Sequence, residues 1–148
     1  MSTLTLDEFV DKLDEVMLVL MKAFARRSMQ ELCQNKLTLS QFLLLGLLHK
    51  QKECNMSHLA DFMQVSLPTI TGVVDRLVRQ GLVLRLSDPN DRRLVKIKLT
   101  PQGQSLLQKI FQQRRKTIKE LFCQVSDYDR KEYLRILNSI KERILKEG

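Results

Sequence analysis

Cysteine, histidine and glycine-rich segments are scarce in this 148-residue sequence, and long apolar runs are missing altogether. The three cysteines, Cys33, Cys54 and Cys123, stand far apart without a CxxC pair. An odd, scattered set argues against a disulfide framework and for a reducing compartment. With two histidines, His49 and His58, there is no metal quartet, no glycine-rich phosphate loop and no Ser-His-Asp grouping. Nothing is left to which catalytic roles can be assigned, so the expectation is a non-enzyme with no cofactor and no bound metal. No apolar stretch approaches the ~20 residues that span a bilayer. The longest, from Leu37 to Lys50, is short and broken by polar residues. The amino-terminal segment carries acids, Asp7 and Glu8 among them, where a secretory signal would carry Lys or Arg. These absences predict a cytoplasmic protein with no membrane partner.

What is present suits one domain with a respectable core, since 43% of the residues are hydrophobic. Twenty-five Lys and Arg stand against 17 Asp and Glu, a formal net charge of +8. Such a surplus favours a polyanionic partner, nucleic acid or an anionic surface, because neutralised phosphates release counterions. By itself it suits a merely soluble basic protein equally well.

The apolar spacing predicts a mainly helical chain. Leu6, Phe9, Val10, Leu13, Val16, Met17, Leu20 and Phe24 recur at helical steps after Thr5, marking a long amphipathic helix to about Gln34. Thr38 to Gln41 has capping-box spacing before the run Phe42 to Leu48. A third helix is expected from Ser57 as N-cap, with Leu59, Phe62 and Met63 inward. Ser66 caps a fourth, with Pro68 in its first turn, an apolar face of Ile70, Val73, Val74, Leu77 and Val78, and Gly81 as its left-handed stop. The period then falls to two, giving strands over Leu82 to Leu86 and Val95 to Leu99 around a turn-rich connection, Ser87 to Arg93. Thr100-Pro101 opens a fifth helix and Ser126 caps a sixth. A hairpin directly after a helix-turn-helix is a wing. The predicted fold is therefore mainly α with a small β-hairpin wing.

The face of the fourth helix opposite its core carries Thr69, Gly72, Arg76 and Arg79, with Thr71 and Asp75 at the margins. Short hydroxyls and a glycine let a helix sink into a major groove and still reach base edges, while arginines hold flanking phosphates. Between Ser66 and Lys98 seven basic residues face three acids, a local balance of +4. Arg92 and Arg93 lie at the hairpin tip beside Asn90 and Asp91, where a guanidinium can enter a narrow minor groove. Asp91 is close enough in sequence to orient an arginine. The candidate DNA-binding set is Ser66, Pro68, Thr69, Thr71, Gly72, Arg76, Arg79, Asn90, Asp91, Arg92 and Arg93. A plain solvated face is the alternative for the helix alone.

The run from Ser57 to Gly103, with Asp75-Arg76-Leu77, the glycine after that helix, Asp88-Pro-Asn-Asp-Arg-Arg93 and Leu99-Thr-Pro-Gln-Gly103, resembles the multiple antibiotic resistance regulator (MarR) family. The order of the surrounding helices extends the resemblance over nearly the whole chain. It implies one chain over 1–148 with a winged helix-turn-helix lobe at 38–99 and helical dimerisation segments at 5–35 and 100–148. It further implies a homodimer on a pseudo-palindromic operator in double-stranded DNA, with Arg93 in the minor groove and the helix from Ser66 to Arg76 in the major groove. A repressor released by a small aromatic or apolar effector follows, and Met17, Met21, Phe24, Phe42 and Leu45 are the candidate lining of its cleft. Those five also suit a plain core.

Three alternatives stay open. A winged helix can dock another protein instead of DNA. A redox-responsive relative would resemble this chain, but peroxide-sensing members carry a cysteine in the first half of the N-terminal helix, and here Cys33 lies at its far end. Zinc sensing would draw on Cys54, His58, Glu53 and His49, whose spacing is interrupted by the start of the third helix. The basic run Gln112 to Lys119 reads as a solvated helix face.

Overall fold

The computed structural model describes residues 3–147. Six helices and three strands follow as α1 (Leu6–Gln34), α2 (Leu39–Gln51), β1 (Glu53–Asn55), α3 (Met56–Met63), α4 (Leu67–Arg79), β2 (Val83–Ser87), β3 (Val95–Leu99), α5 (Pro101–Phe122) and α6 (Asp127–Glu147). The chain divides into two compact units, Met1–Ile110 and Phe111–Gly148.

Local chemistry sets most of these boundaries. Thr5 and Glu8 form a reciprocal capping box at α1, and Thr38 and Gln41 form another at α2. The Ser66 hydroxyl accepts the Thr69 N–H at the start of α4, with proline in the first turn. Gly81, at φ +72°, takes the left-handed turn that ends the α4 region. At α5 the Thr100 hydroxyl accepts the Gly103 N–H at 3.0 Å and donates to the Gly81 carbonyl at 2.6 Å. A Cβ on Gly103 would sit 2.1 Å from the Leu82 carbonyl oxygen, so only glycine fits that turn. This contact is the physical content of the Leu-Thr-Pro-Gln-Gly sequence.

Four expectations need correction. The cap of α3 is Asn55, whose side chain accepts the His58 N–H at 2.7 Å, and not Ser57. Helix α3 therefore buries Leu59 and Ala60, whereas Phe62 is 49% exposed and Met63 only half-buried. The hairpin gains a third strand: β1 pairs antiparallel with β3, giving the order β1-β3-β2. Residues 53–55 carry no β pattern of their own, and the strand exists because β3 offers them a pairing edge. The predicted strand at Leu82 to Leu86 is observed one residue later.

In the first unit Leu44, Leu45, Leu48, Leu59, Ile70, Val74, Leu77, Ile97 and Leu107 are sealed from solvent. Val73 and Val78 of the predicted α4 face are only half-buried. The lone buried polar side chain among the described residues, Gln41, is bonded to the Gln80 amide at 3.2 Å, which avoids the cost of an unpaired buried amide. In the second unit Ser126 caps α6 through the Asp129 N–H, and the Phe122 and Tyr133 rings pack with centroids 5.7 Å apart. Helix α6 buries none of its residues.

Candidate nucleic-acid interface

Helix α4 is built as a two-faced rod. Ile70, Val74 and Leu77 anchor it in the core at 0% exposure, while Ser66, Pro68, Thr69, Thr71, Arg76 and Arg79 lie on its open side and Gly72 is half-buried. Beyond its own helix nothing lies within 4 Å of a Cβ at Gly72, so the glycine relieves no clash there. The hydroxyls are already oriented. Ser66 and Thr69 share a hydrogen bond of 2.8 Å, and Thr71 donates to the Leu67 carbonyl at 2.8 Å. Thr71 thus presents acceptor lone pairs and a methyl group outward, suited to an amino-group donor or a thymine methyl.

The wing tip is ordered by its acids. Asp88 accepts the Asn90 N–H at 2.8 Å, and Asp91 accepts the Arg93 N–H at 2.9 Å. Asp91 therefore orients Arg93 through the backbone, an Asx turn, and not by gripping its guanidinium as the spacing suggested. Asn90, Asp91, Arg92 and Arg93 are all exposed.

The seven cations divide into two groups. Arg85 is taken by Asp75, which fastens β2 to α4, and Lys96 is held by Glu53 at 2.8 Å across β1 and β3. That carboxylate, by hydrogen bond and by charge, holds the Lys96 ammonium above its ordinary pKa. Arg76, Arg92, Arg93 and Lys98 enter no ion pair among the described residues. Arg79 Nε lies 3.4 Å from the Asp75 carbonyl, leaving its charge uncompensated.

Tertiary structure also adds residues that spacing could not find. Lys36 and Thr38, from the α1–α2 junction, line one polar pocket of ≈ 510 Å³ together with Gln41, Arg76, Arg79 and Gln80. Gln80 donates to the Lys36 carbonyl at 3.1 Å, bridging that junction to the end of α4. These partners are 44 positions apart in sequence, so no local signal announces them.

The other candidates fare differently. Met17, Met21 and Phe24 are exposed on α1, Phe42 is half-buried and Leu45 is closed in the core at 0% exposure. Glu53, Cys54 and His58 do border one small pocket of ≈ 290 Å³. Yet Glu53 is engaged by Lys96, and the buried Cys54 thiol donates to Gln51 Oε1 at 3.2 Å. Burial, then the Glu53 charge, pushes the Cys54 thiol pKa up, which opposes the thiolate that a metal needs.

The family model described as "MarR family" matches residues 37–95, from just before α2 to the start of β3. Over that segment the chain is similar to the MarR family. Among the chain's relatives, the HTH-type transcriptional regulator YsmB of Bacillus subtilis is 31% identical over 94 residues, 64% of each protein. The HTH-type transcriptional repressor NicR of Pseudomonas putida is 35% identical over 100 residues, 66% of this chain and 63% of NicR. The chain thus spans slightly less than two thirds of the length of these relatives. A MarR family protein from Bacillus stearothermophilus superposes with a TM-score of 0.83 at 22% identity, over 95% of this chain and 99% of that one. A point mutant of S. aureus MepR, solved bound to an oligodeoxyribonucleotide, superposes at 0.72 with 21% identity, over 88% of this chain and 96% of that one. The winged-helix fold is common to the chain and these structures.

Proposed function

We propose that this chain is a transcriptional regulator, a repressor, that binds duplex DNA as a homodimer. The observation that carries this reading is the division of α4, sealed on one face by Ile70, Val74 and Leu77 and presenting Thr69, Thr71, Arg76 and Arg79 on the other. In this reading α4 lies in the major groove with Ser66, Pro68, Thr69, Thr71 and Gly72 toward the bases. Arg76 and Arg79 hold phosphates, and the Asn90 to Arg93 tip delivers Arg93 to the minor groove. The unpaired charge of Arg76, Arg92, Arg93 and Lys98 supports it, as does a DNA complex of the similarly folded MepR.

Dimerisation has separate support. Helix α1 exposes Phe9, Leu13, Met17, Leu20 and Phe24 at helical spacing, and α6 exposes Leu134, Leu137, Ile140 and Ile144. Apolar stripes of that length are covered by a partner in water, and a two-fold pair matches a pseudo-palindromic operator. An effector would act by shifting the population of lobe spacings that fit successive major grooves. Met17, Met21 and Phe24 are accessible to such a ligand, and Leu45 would become so only on repacking. In this reading the lobe comprises residues 38–99, and residues 5–35 and 100–148 supply the dimer contacts.

The test is a gel-shift titration against the DNA upstream of the protein's own gene, repeated over several salt concentrations. Binding should weaken steeply with salt, the log–log slope tracking about 0.9 per phosphate neutralised. Weak affinity that stays flat with salt would sink the DNA reading and favour a protein-docking winged helix.

A further inference from the structure

Where the α1–α2 junction meets the last turn of α4, three cations converge on one pocket of ≈ 510 Å³. Lys36, Thr38 and Gln41 contribute one side of its lining, and Arg76, Arg79 and Gln80 the other. No acid and no apolar side chain borders it. Lys36, Arg76 and Arg79 enter no ion pair among the described residues.

The end of α1 fixes where Lys36 stands. Its N–H donates to the Cys33 carbonyl at 3.0 Å, and the Leu37 N–H donates to the Leu32 carbonyl at 2.9 Å. That pair of bonds is a Schellman closure, pinned by the buried side chains of Leu32 and Leu37. Lys36 occupies its left-handed position at φ 55°, where glycine or asparagine is the usual residue. An amide chain then ties the two sides together. The Thr38 N–H donates to Gln41 Oε1 at 2.9 Å, Gln41 Nε2 to Gln80 Oε1 at 3.2 Å, and Gln80 Nε2 to the Lys36 carbonyl. The Thr38 hydroxyl accepts the Gln41 N–H at 3.2 Å, which leaves its own proton to donate.

We infer that this pocket seats a phosphate group between Lys36 and Thr38 on one side and Arg76 and Arg79 on the other. Donors on two sides suit a tetrahedral oxyanion, which accepts from every direction, better than a planar carboxylate. Guanidinium forks match phosphate oxygens, and a wholly polar lining excludes an apolar ligand. The volume is that of a small-molecule site, so the phosphate can belong to a free diphosphate as well as to the backbone of DNA. Both sources use Arg76 and Arg79, so a bound diphosphate competes with DNA directly. The seat itself stands on the pocket alone, and its use by DNA rests on the regulator reading.

The experiment has two arms on the full chain. In the first, calorimetry without DNA titrates sodium diphosphate, then sodium acetate, at ionic strength matched with sodium chloride. Diphosphate should bind saturably, and acetate should give no saturable heat. Lys36→Asn removes the charge yet keeps a residue suited to the left-handed turn, and should weaken diphosphate by about tenfold or more. Lys36→Arg should keep the affinity, and Lys96→Gln, whose ammonium Glu53 already engages, should bind as the wild type does. In the second arm, fluorescence anisotropy on the upstream DNA at several salt concentrations should show Lys36→Asn lowering the log–log slope by about one. Saturable diphosphate binding that is lost in Lys36→Asn assigns the seat to a free anion. A slope loss without diphosphate heat assigns it to the DNA backbone alone. Absence of both effects of Lys36→Asn, or equal affinity for acetate, overturns the proposal. Diphosphate binding without any gel shift would sink only the regulator reading, and a gel shift with Lys36→Asn silent in both arms only this one.

Discussion

Asp75 of α4 holds Arg85 of β2 in an ion pair, so the helix proposed to read bases and the strand that carries the wing are fastened by one contact. Both side chains are partly open to solvent, 46% and 38% exposed, which limits what the pair adds to stability. A double-mutant cycle with Asp75→Ala and Arg85→Ala, read by urea unfolding, should give a coupling of about 0.2–1 kcal/mol. Operator affinity should fall in Asp75→Ala, because wing and helix lose their common register. Zero coupling in the cycle would show that the contact fastens nothing.

Arg93→Ala should cost about 1–3 kcal/mol of specific binding and leave fold and dimer intact. Asp91→Ala should mimic part of that loss, since the Arg93 N–H then has no carboxylate to receive it. Asp91→Asn keeps an acceptor oxygen there and should be milder. Fluorescence anisotropy on one operator fragment ranks the three. Equal affinity across them would remove the wing from DNA recognition.

Cations already held by acids should contribute little to the salt dependence. Arg76→Gln and Arg92→Gln are each expected to lower the slope of log affinity against log salt by about one. Lys96→Gln should change it far less, because Glu53 engages that ammonium. A loss of slope for Lys96→Gln as large as for Arg76→Gln would mean that the Glu53 pair opens on DNA.

Cys54 should be the slow thiol. Its folded pKa lies above the unfolded one through burial, so the contribution of burial to stability is present below the unfolded thiol pKa. That contribution is lost as pH rises from there through the folded pKa. Labelling with iodoacetamide at neutral pH, followed by peptide mass spectrometry, should spare Cys54 until the chain is unfolded. Rapid labelling of Cys54 in the folded protein would revive the redox alternative.

Leu13→Glu or Met17→Glu, placed on the exposed α1 stripe, should convert a dimer to monomer without unfolding the first unit, whose core they do not enter. Sedimentation velocity distinguishes the species. A wild-type chain that sediments as a monomer at micromolar concentration would remove the dimer from the proposed mechanism.

Much of the fold was legible because helix ends are chemically local. Thr5, Thr38, Ser66 and Ser126 each bond a backbone N–H three residues on, so the cap is written within one turn of sequence. Ser57 misled for the same reason: Asn55 offers an equally good cap two residues earlier, and pairing of β1 with β3 decides between them. Phe62 misled because an eight-residue helix has too few turns for periodicity to settle which apolar side chains are covered.

Residue types and their spacing by themselves determined the six helices, the wing and the outward polar face of α4, since each depends on neighbours within a few positions. Which cations remain unpaired was decided only by the tertiary structure. Counting charges between Ser66 and Lys98 treats Arg85 and Lys96 as equals of Arg76 and Arg93, but Asp75 and Glu53 hold them once the sheet has closed. The same closure brought Lys36 beside Arg79. Contacts between residues so far apart in sequence follow from how the elements pack, and no local pattern encodes that.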